Sequence, residues 1–140
     1  MSRSSSVLCG LIDACIDEQR MLDHERWRVD AYRNAVLARL AGERALAITR
    51  LTELGSAVGT GARHGSWAAL QRALRRALRA FMDGSDAGDP IAACRRCCRR
   101  TEESFDRALE LPWPDGIRAV LAEQRQVACG ASVVLTALQY

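Results

Sequence analysis

Apolar residues along this chain recur every three or four positions and scarcely alternate, a pattern that predicts helices and no strands. Leu8, Leu11, Ile12, Cys15 and Leu22 form one face of a first helix over residues 4–28, with Ser4, Ser5 and Ser6 offering an N-cap. Asp30 can cap a second helix over 31–54, whose face is Leu37, Leu40, Ala47, Ile48 and Leu51; Gly55 suits the position just past its end. A third helix over 63–82 turns Trp67, Leu70, Leu74, Leu78 and Phe81 to one side. The small-residue stretch Gly55–Gly61 and the run Asp83–Asp89 read as loops. Asp89-Pro90 then opens a fourth helix over 90–110, burying Ile91, Cys94, Cys98, Phe105 and Leu109. After the stiff turn Leu111-Pro-Trp-Pro-Asp-Gly116, a fifth helix over 115–139 buries Val120, Leu121, Val127, Ala131, Val134, Leu135 and Leu138.

Composition agrees with an all-α fold. The 140 residues are 49% apolar, largely Ala and Leu, and only 5% aromatic, so β-branched and aromatic strand formers are scarce. With no internal repeat and no compositional boundary, residues 1–140 read as a single helical-bundle domain. A net charge of +3 is too mild to require nucleic acid as a partner. Every basic residue is Arg, which excludes Schiff-base or general-base chemistry by lysine. No segment approaches the ~20 apolar residues of a membrane span. The short apolar run behind Ser6 is broken by Asp13, and a reducing cytoplasm that keeps the six cysteines as thiols is the expected compartment.

Helical wheels place one long polar group inward on four of the five helices: Gln19, Arg44, Glu102 and Gln124. Buried polar groups need partners, so these four are expected to meet in one core polar layer, with Arg44 against Glu102.

Two helices, a long crossover and two more helices is a pattern that resembles the ferritin-like fold. More narrowly, Ala41-Gly-Glu-Arg44, Leu51-Thr-Glu-Leu-Gly55, His64-Gly-Ser-Trp67, Phe105-Asp-Arg-Ala-Leu109, Leu111-Pro112 and Gln124 are similar to a bacterial family of small ferritin-like four-helix-bundle proteins of unknown function. The resemblance implies an up-down-down-up four-helix bundle with an additional crossover helix, five helices in all. Ferritin-like di-iron sites take a Glu from each of two helices and Glu-x-x-His from each of the other two. Here the positions three residues after the polar layer are Leu22, Ala47, Phe105 and Val127, and none is His. Arg44 also sets a fixed positive charge where cations would bind. No metal and no cofactor is therefore expected.

Cys94-Arg-Arg-Cys97-Cys98 has the look of a metal or redox motif, but a second cysteine pair for zinc and a βαβ context for redox chemistry are both missing. Cys94 and Cys98 fall on the core face. Cys97 falls on its flank among Arg95, Arg96, Arg99 and Arg100, which could lower its pKa and make it the most reactive of the three; Cys129 reads as exposed. Arg72, Arg75, Arg76 and Arg79 form a basic stripe on the third helix, read as a solvated face. No serine or cysteine has a histidine partner evident in sequence, so no catalytic triad is predicted.

The expectation is a non-enzymatic binding or assembly module without a di-iron site. Two alternatives stand beside it: a degenerate ferritin-like metal-binding or oxidoreductase protein, and a basic helical adaptor for an anionic polymer. The broad apolar face of the third helix suggests a homodimer formed through it. Neither nucleic acid nor membrane is an expected partner.

Overall fold

The computed structural model describes residues 3–57 and 88–139. They form α1 (Arg3–Glu25), a single 3-10 turn (Arg26–Arg28), α2 (Ala31–Ala57), α3 (Pro90–Leu109) and α4 (Asp115–Leu138). This corrects the five-helix expectation: the described residues hold four α-helices, and these four supply both core clusters. The helix expected over 63–82, with its Trp67–Phe81 face, His64, the stripe Arg72, Arg75, Arg76 and Arg79, and the dimer interface assigned to it, lies outside the described residues.

Local chemistry sets the helix ends. Asp30 Oδ1 accepts the Arg33 backbone N–H at 2.8 Å, a cap that also holds the exposed Asp30 carboxyl below its ordinary pKa. Asp89 Oδ1 accepts from Ile91 N at 3.0 Å, with Pro90 in the first turn where its missing N–H costs nothing. The end of α1 tightens into the 3-10 turn before Val29 extends, so the first helix stops short of residue 28. Conversely, α2 runs through the expected stop at Gly55, which is buried inside the helix. At the end of α3, Trp113 Nε1 donates to Ala108 O at 2.6 Å, and the Arg118 guanidinium donates to Leu109 O and Leu111 O at 3.1 and 2.6 Å. Ala108 O and Leu111 O also accept backbone N–H groups, from Leu111 and Trp113, so the indole and the guanidinium add second bonds that close the α3–α4 turn.

Two core clusters fix the topology. One joins Leu8, Leu11, Ile12 and Cys15 to Leu51, Phe105, Ala108 and Leu121, hence the start of α1, the end of α2, the end of α3 and the start of α4. The other joins Leu22 to Leu37, Leu40, Ile91, Cys94, Leu135 and Leu138, which are the opposite ends of the same helices. The helices therefore run up, down, down, up, with α2 and α3 parallel. α1 packs on α2 and α3, α3 packs on α4, and the α2–α4 side is the sparsest seam.

Burial follows one rule in all four helices. The buried positions are 8, 11, 15, 18, 22, 25 in α1; 37, 40, 44, 47, 51 in α2; 91, 94, 98, 101, 105, 108 in α3; and 121, 124, 128, 131, 135, 138 in α4. Spacings of three and four alternate throughout, the seven-residue repeat of helices packed side by side. Ser5, Cys9, Ile12, Ala41, Gly55 and Cys97, also buried, lie beside this seam.

Among the described residues, Phe105 is the bulkiest apolar side chain that is wholly buried. Phe105→Ala should cost about 3–5 kcal/mol in chemical denaturation, since the surrounding helices cannot collapse to refill the space.

Candidate functional site

Midway along the seam the repeat admits polar residues, one per helix: Glu18, Arg44, Thr101 and Gln124. Antiparallel register brings them to a common level. Arg44 Nε stands 3.9 Å from Glu18 Oε1, Thr101 Oγ1 lies 3.4 Å from Ala14 O of α1, and one turn away Cys98 Sγ donates to Ala128 O at 3.5 Å. Glu18 and Arg44 are both fully buried, and Gln124 is 8% exposed.

Two of the four expected residues are displaced by one position. Arg44 and Gln124 lie on the seam, whereas Gln19 is half-buried on its flank and Glu18 takes the inward place. On α3 the inward residue is Thr101, and Glu102 is half-buried beside it with its Oε1 atom enclosed. Arg44 accordingly forms its ion pair with Glu18, while Glu102 acts on Glu18 as a like charge. A strict seven-residue count would have found both shifts: from Leu8, Leu11 and Cys15 the next seam positions are 18 and 22, and from Cys94 and Cys98 the next is 101.

The pair is enclosed but poorly joined. At 3.9 Å it lies beyond hydrogen-bond reach, and Glu18 Oε1 and Oε2, Arg44 Nε, Nη1 and Nη2, and Glu102 Oε1 are all buried with no hydrogen-bond partner among the described residues. The Thr101 hydroxyl and Cys98 thiol stand beside Glu18 and would favour its carboxylate if turned toward it. Instead, Thr101 Oγ1 lies 3.2 Å from Cys97 O, and Cys98 points to Ala128 O. Loss of solvent outweighs the attraction of Arg44 and pushes the Glu18 carboxyl above its ordinary pKa. Burial likewise pushes the Cys15 thiol up to about 12 despite the adjacent Arg44 guanidinium.

All six cysteines are free. Cys94 and Cys98 are wholly buried, and desolvation raises both thiols well beyond their usual range. Cys97 departs from expectation: it is only 5% exposed, and although Arg100 Nη2 donates to its sulfur at 3.2 Å, burial wins and its pKa rises. The most accessible thiol is the half-buried Cys129. The arginines of α3 have local partners: Arg95 donates to Gln139 Oε1, Arg100 to Cys97 and Arg107 to Ser104. His24, 74% exposed, touches Glu25 at the end of α1, far from the polar layer.

Among the described residues, no group of three or more His, Cys, Asp or Glu side chains is arranged to hold a metal ion, and no helix is long and apolar enough to cross a membrane. A groove of about 310 Å³ runs along the sparse α2–α4 seam over Leu40, Val127, Ala131 and Val134, with Arg39 and Glu43 at its rim; no polar-layer residue lines it. Comparison of the chain with protein-family models, curated proteins and solved structures gives no match.

Three measurements test this description. Arg44→Ala should destabilise the fold by about 3–5 kcal/mol, whereas Glu18→Leu combined with Arg44→Met should be nearly neutral or stabilising; a denaturation cycle compares them. Because the folded chain keeps the Glu18 proton to higher pH than the unfolded chain, stability falls as pH rises above the ordinary Glu value of about 4.3, and Glu18→Gln should remove that component of the denaturant-midpoint profile. In native alkylation followed by mass spectrometry, Cys129 should be modified before Cys97, and Cys94 and Cys98 only on unfolding.

Proposed function

We propose that this protein is a non-enzymatic binding or assembly module of ferritin-like topology, in which a buried charge pair stands where ferritin-like enzymes gather their metal ligands. The observation that carries this reading is Arg44, wholly buried with its Nε 3.9 Å from Glu18 Oε1, while Glu102 acts on Glu18 as a like charge. A guanidinium keeps its proton at any physiological pH, so its positive charge opposes entry of a cation and occupies the carboxylates that would bind one.

The up-down-down-up order supports the topology, and the surrounding residues support the loss of metal chemistry. A di-iron layer needs four carboxylates and two imidazoles. At the level of Arg44 the seam supplies one carboxylate, Glu18, with Glu102 beside it, and the residues three positions after Glu18, Arg44, Glu102 and Gln124 are Met21, Ala47, Phe105 and Val127. The buried thiols are held protonated, which suits small apolar packing groups and not nucleophiles. A cytoplasmic setting is consistent with six unpaired cysteines.

The test is metal stoichiometry. The purified full chain, titrated with Fe(II) and with Zn(II) and then desalted, should retain neither at a stoichiometric level. Retention of two ions per chain, lost in Glu18→Gln, would favour a metal-binding protein and overturn the reading.

A further inference from the structure

Six enclosed polar atoms gathered at one level of a helical bundle require an explanation. Arg44 brings three nitrogens that can donate, Glu18 two oxygens that can accept, and Glu102 one more, and none has a hydrogen-bond partner among the described residues. Leaving such groups unpaired is costly, and native proteins almost always supply a partner. The demand is mixed: the guanidinium needs acceptors, while the carboxyl oxygens need donors. An anion would satisfy Arg44 but be repelled by Glu18 and Glu102, and a cation would meet the reverse. A neutral molecule that both donates and accepts answers both.

Size narrows the class further. The layer is bounded by wholly buried Cys15 and Cys98 and by buried Thr101, so a guest must be small. The 3.9 Å separation of Arg44 Nε from Glu18 Oε1 is too long for a direct hydrogen bond, and both atoms can bond to one small donor–acceptor lying beside the pair. We propose that the layer is an internal hydration site, in which ordered water bridges the Arg44 guanidinium to the Glu18 carboxyl and to Glu102 Oε1. Glu102, half-buried with one oxygen inside, then marks the route by which this water meets solvent. Buried water of this kind makes about three hydrogen bonds, a number these six atoms can provide.

The proposal is independent of the functional reading, since a metal-free module could equally have a dry core. It is tested on the full chain by two measurements and one variant. In arginine-labelled protein, the Arg44 Nε proton should show a negative Overhauser effect to water, the sign of a long-lived bound molecule. A crystal structure at a resolution that shows water should place at least one within hydrogen-bond distance of both Arg44 and Glu18. Glu102→Leu should leave that water in place but slow exchange of the Arg44 Nε proton with solvent several-fold. A bidentate Arg44–Glu18 pair with no water between, or density for an organic molecule or an ion in the layer, would overturn the proposal, as would unchanged exchange in Glu102→Leu.

Discussion

The structure turns on the removal of the Arg44 charge from water. A guanidinium cannot shed its proton to escape burial, so the protein must answer it with other groups. Glu18 is the answer on the neighbouring helix, and its cost is visible in the same place: the carboxyl that balances Arg44 is itself desolvated strongly enough that its pKa rises despite the adjacent positive charge. Around the pair, the bundle spends its small residues. Cys15, Cys98 and Thr101 bring modest volume beside the long arginine, while the large apolar side chains Leu8, Phe105 and Leu121 gather on one side and Leu22, Leu37 and Leu135 on the other. Two apolar clusters separated by one polar level is the packing that follows.

This arrangement also governs the chemistry of the cysteines. Three thiols in one helical turn among four arginines suggest a reactive site if only charge is counted. Burial decides otherwise. Cys97 illustrates the balance: a guanidinium donates to its sulfur, yet the thiol still moves away from ionisation because it has lost solvent. Electrostatic neighbours activate a cysteine only where water can reach it, and at this position it scarcely does.

Much of the bundle is legible in the residue pattern, and the errors share a cause. Four helices lie close to the positions their apolar periodicity predicts, and the caps at Asp30 and Asp89 behave as those residues should. The inward polar residues of α1 and α3 were each misplaced by one. An ideal wheel of 3.6 residues per turn averages the apolar directions and lets the face drift, whereas helices packed side by side keep a repeat of 3.5. Over three turns the drift is about 30°, enough to tip the near tie between Glu18 and Gln19, and between Thr101 and Glu102, on either side of the face. Arg44 was found because Leu37, Leu40, Ala47 and Leu51 bracket it closely. The fate of Cys97 was not legible at all, since a flank position is buried or exposed according to which helix lies beside it. The helix expected over 63–82 lies outside the described residues, and the described core is completed by the other four.

A polar layer adds little stability compared with the leucines it displaces, so its value must lie elsewhere, and the seam shows where. Apolar seven-residue repeats are nearly blind to a shift of one repeat, because leucine meets leucine in either alignment. Here α1 and α2 are matched through Glu18 and Arg44. Sliding α1 by one repeat in one direction would set Arg44 against Leu11 and Glu18 against Leu37. In the other direction Arg44 would meet Glu25, but Glu18 would be buried against Leu51. Each alternative leaves at least one charge enclosed in hydrocarbon. The native alignment alone brings the two charges together, so the ion pair contributes register where the apolar seam cannot.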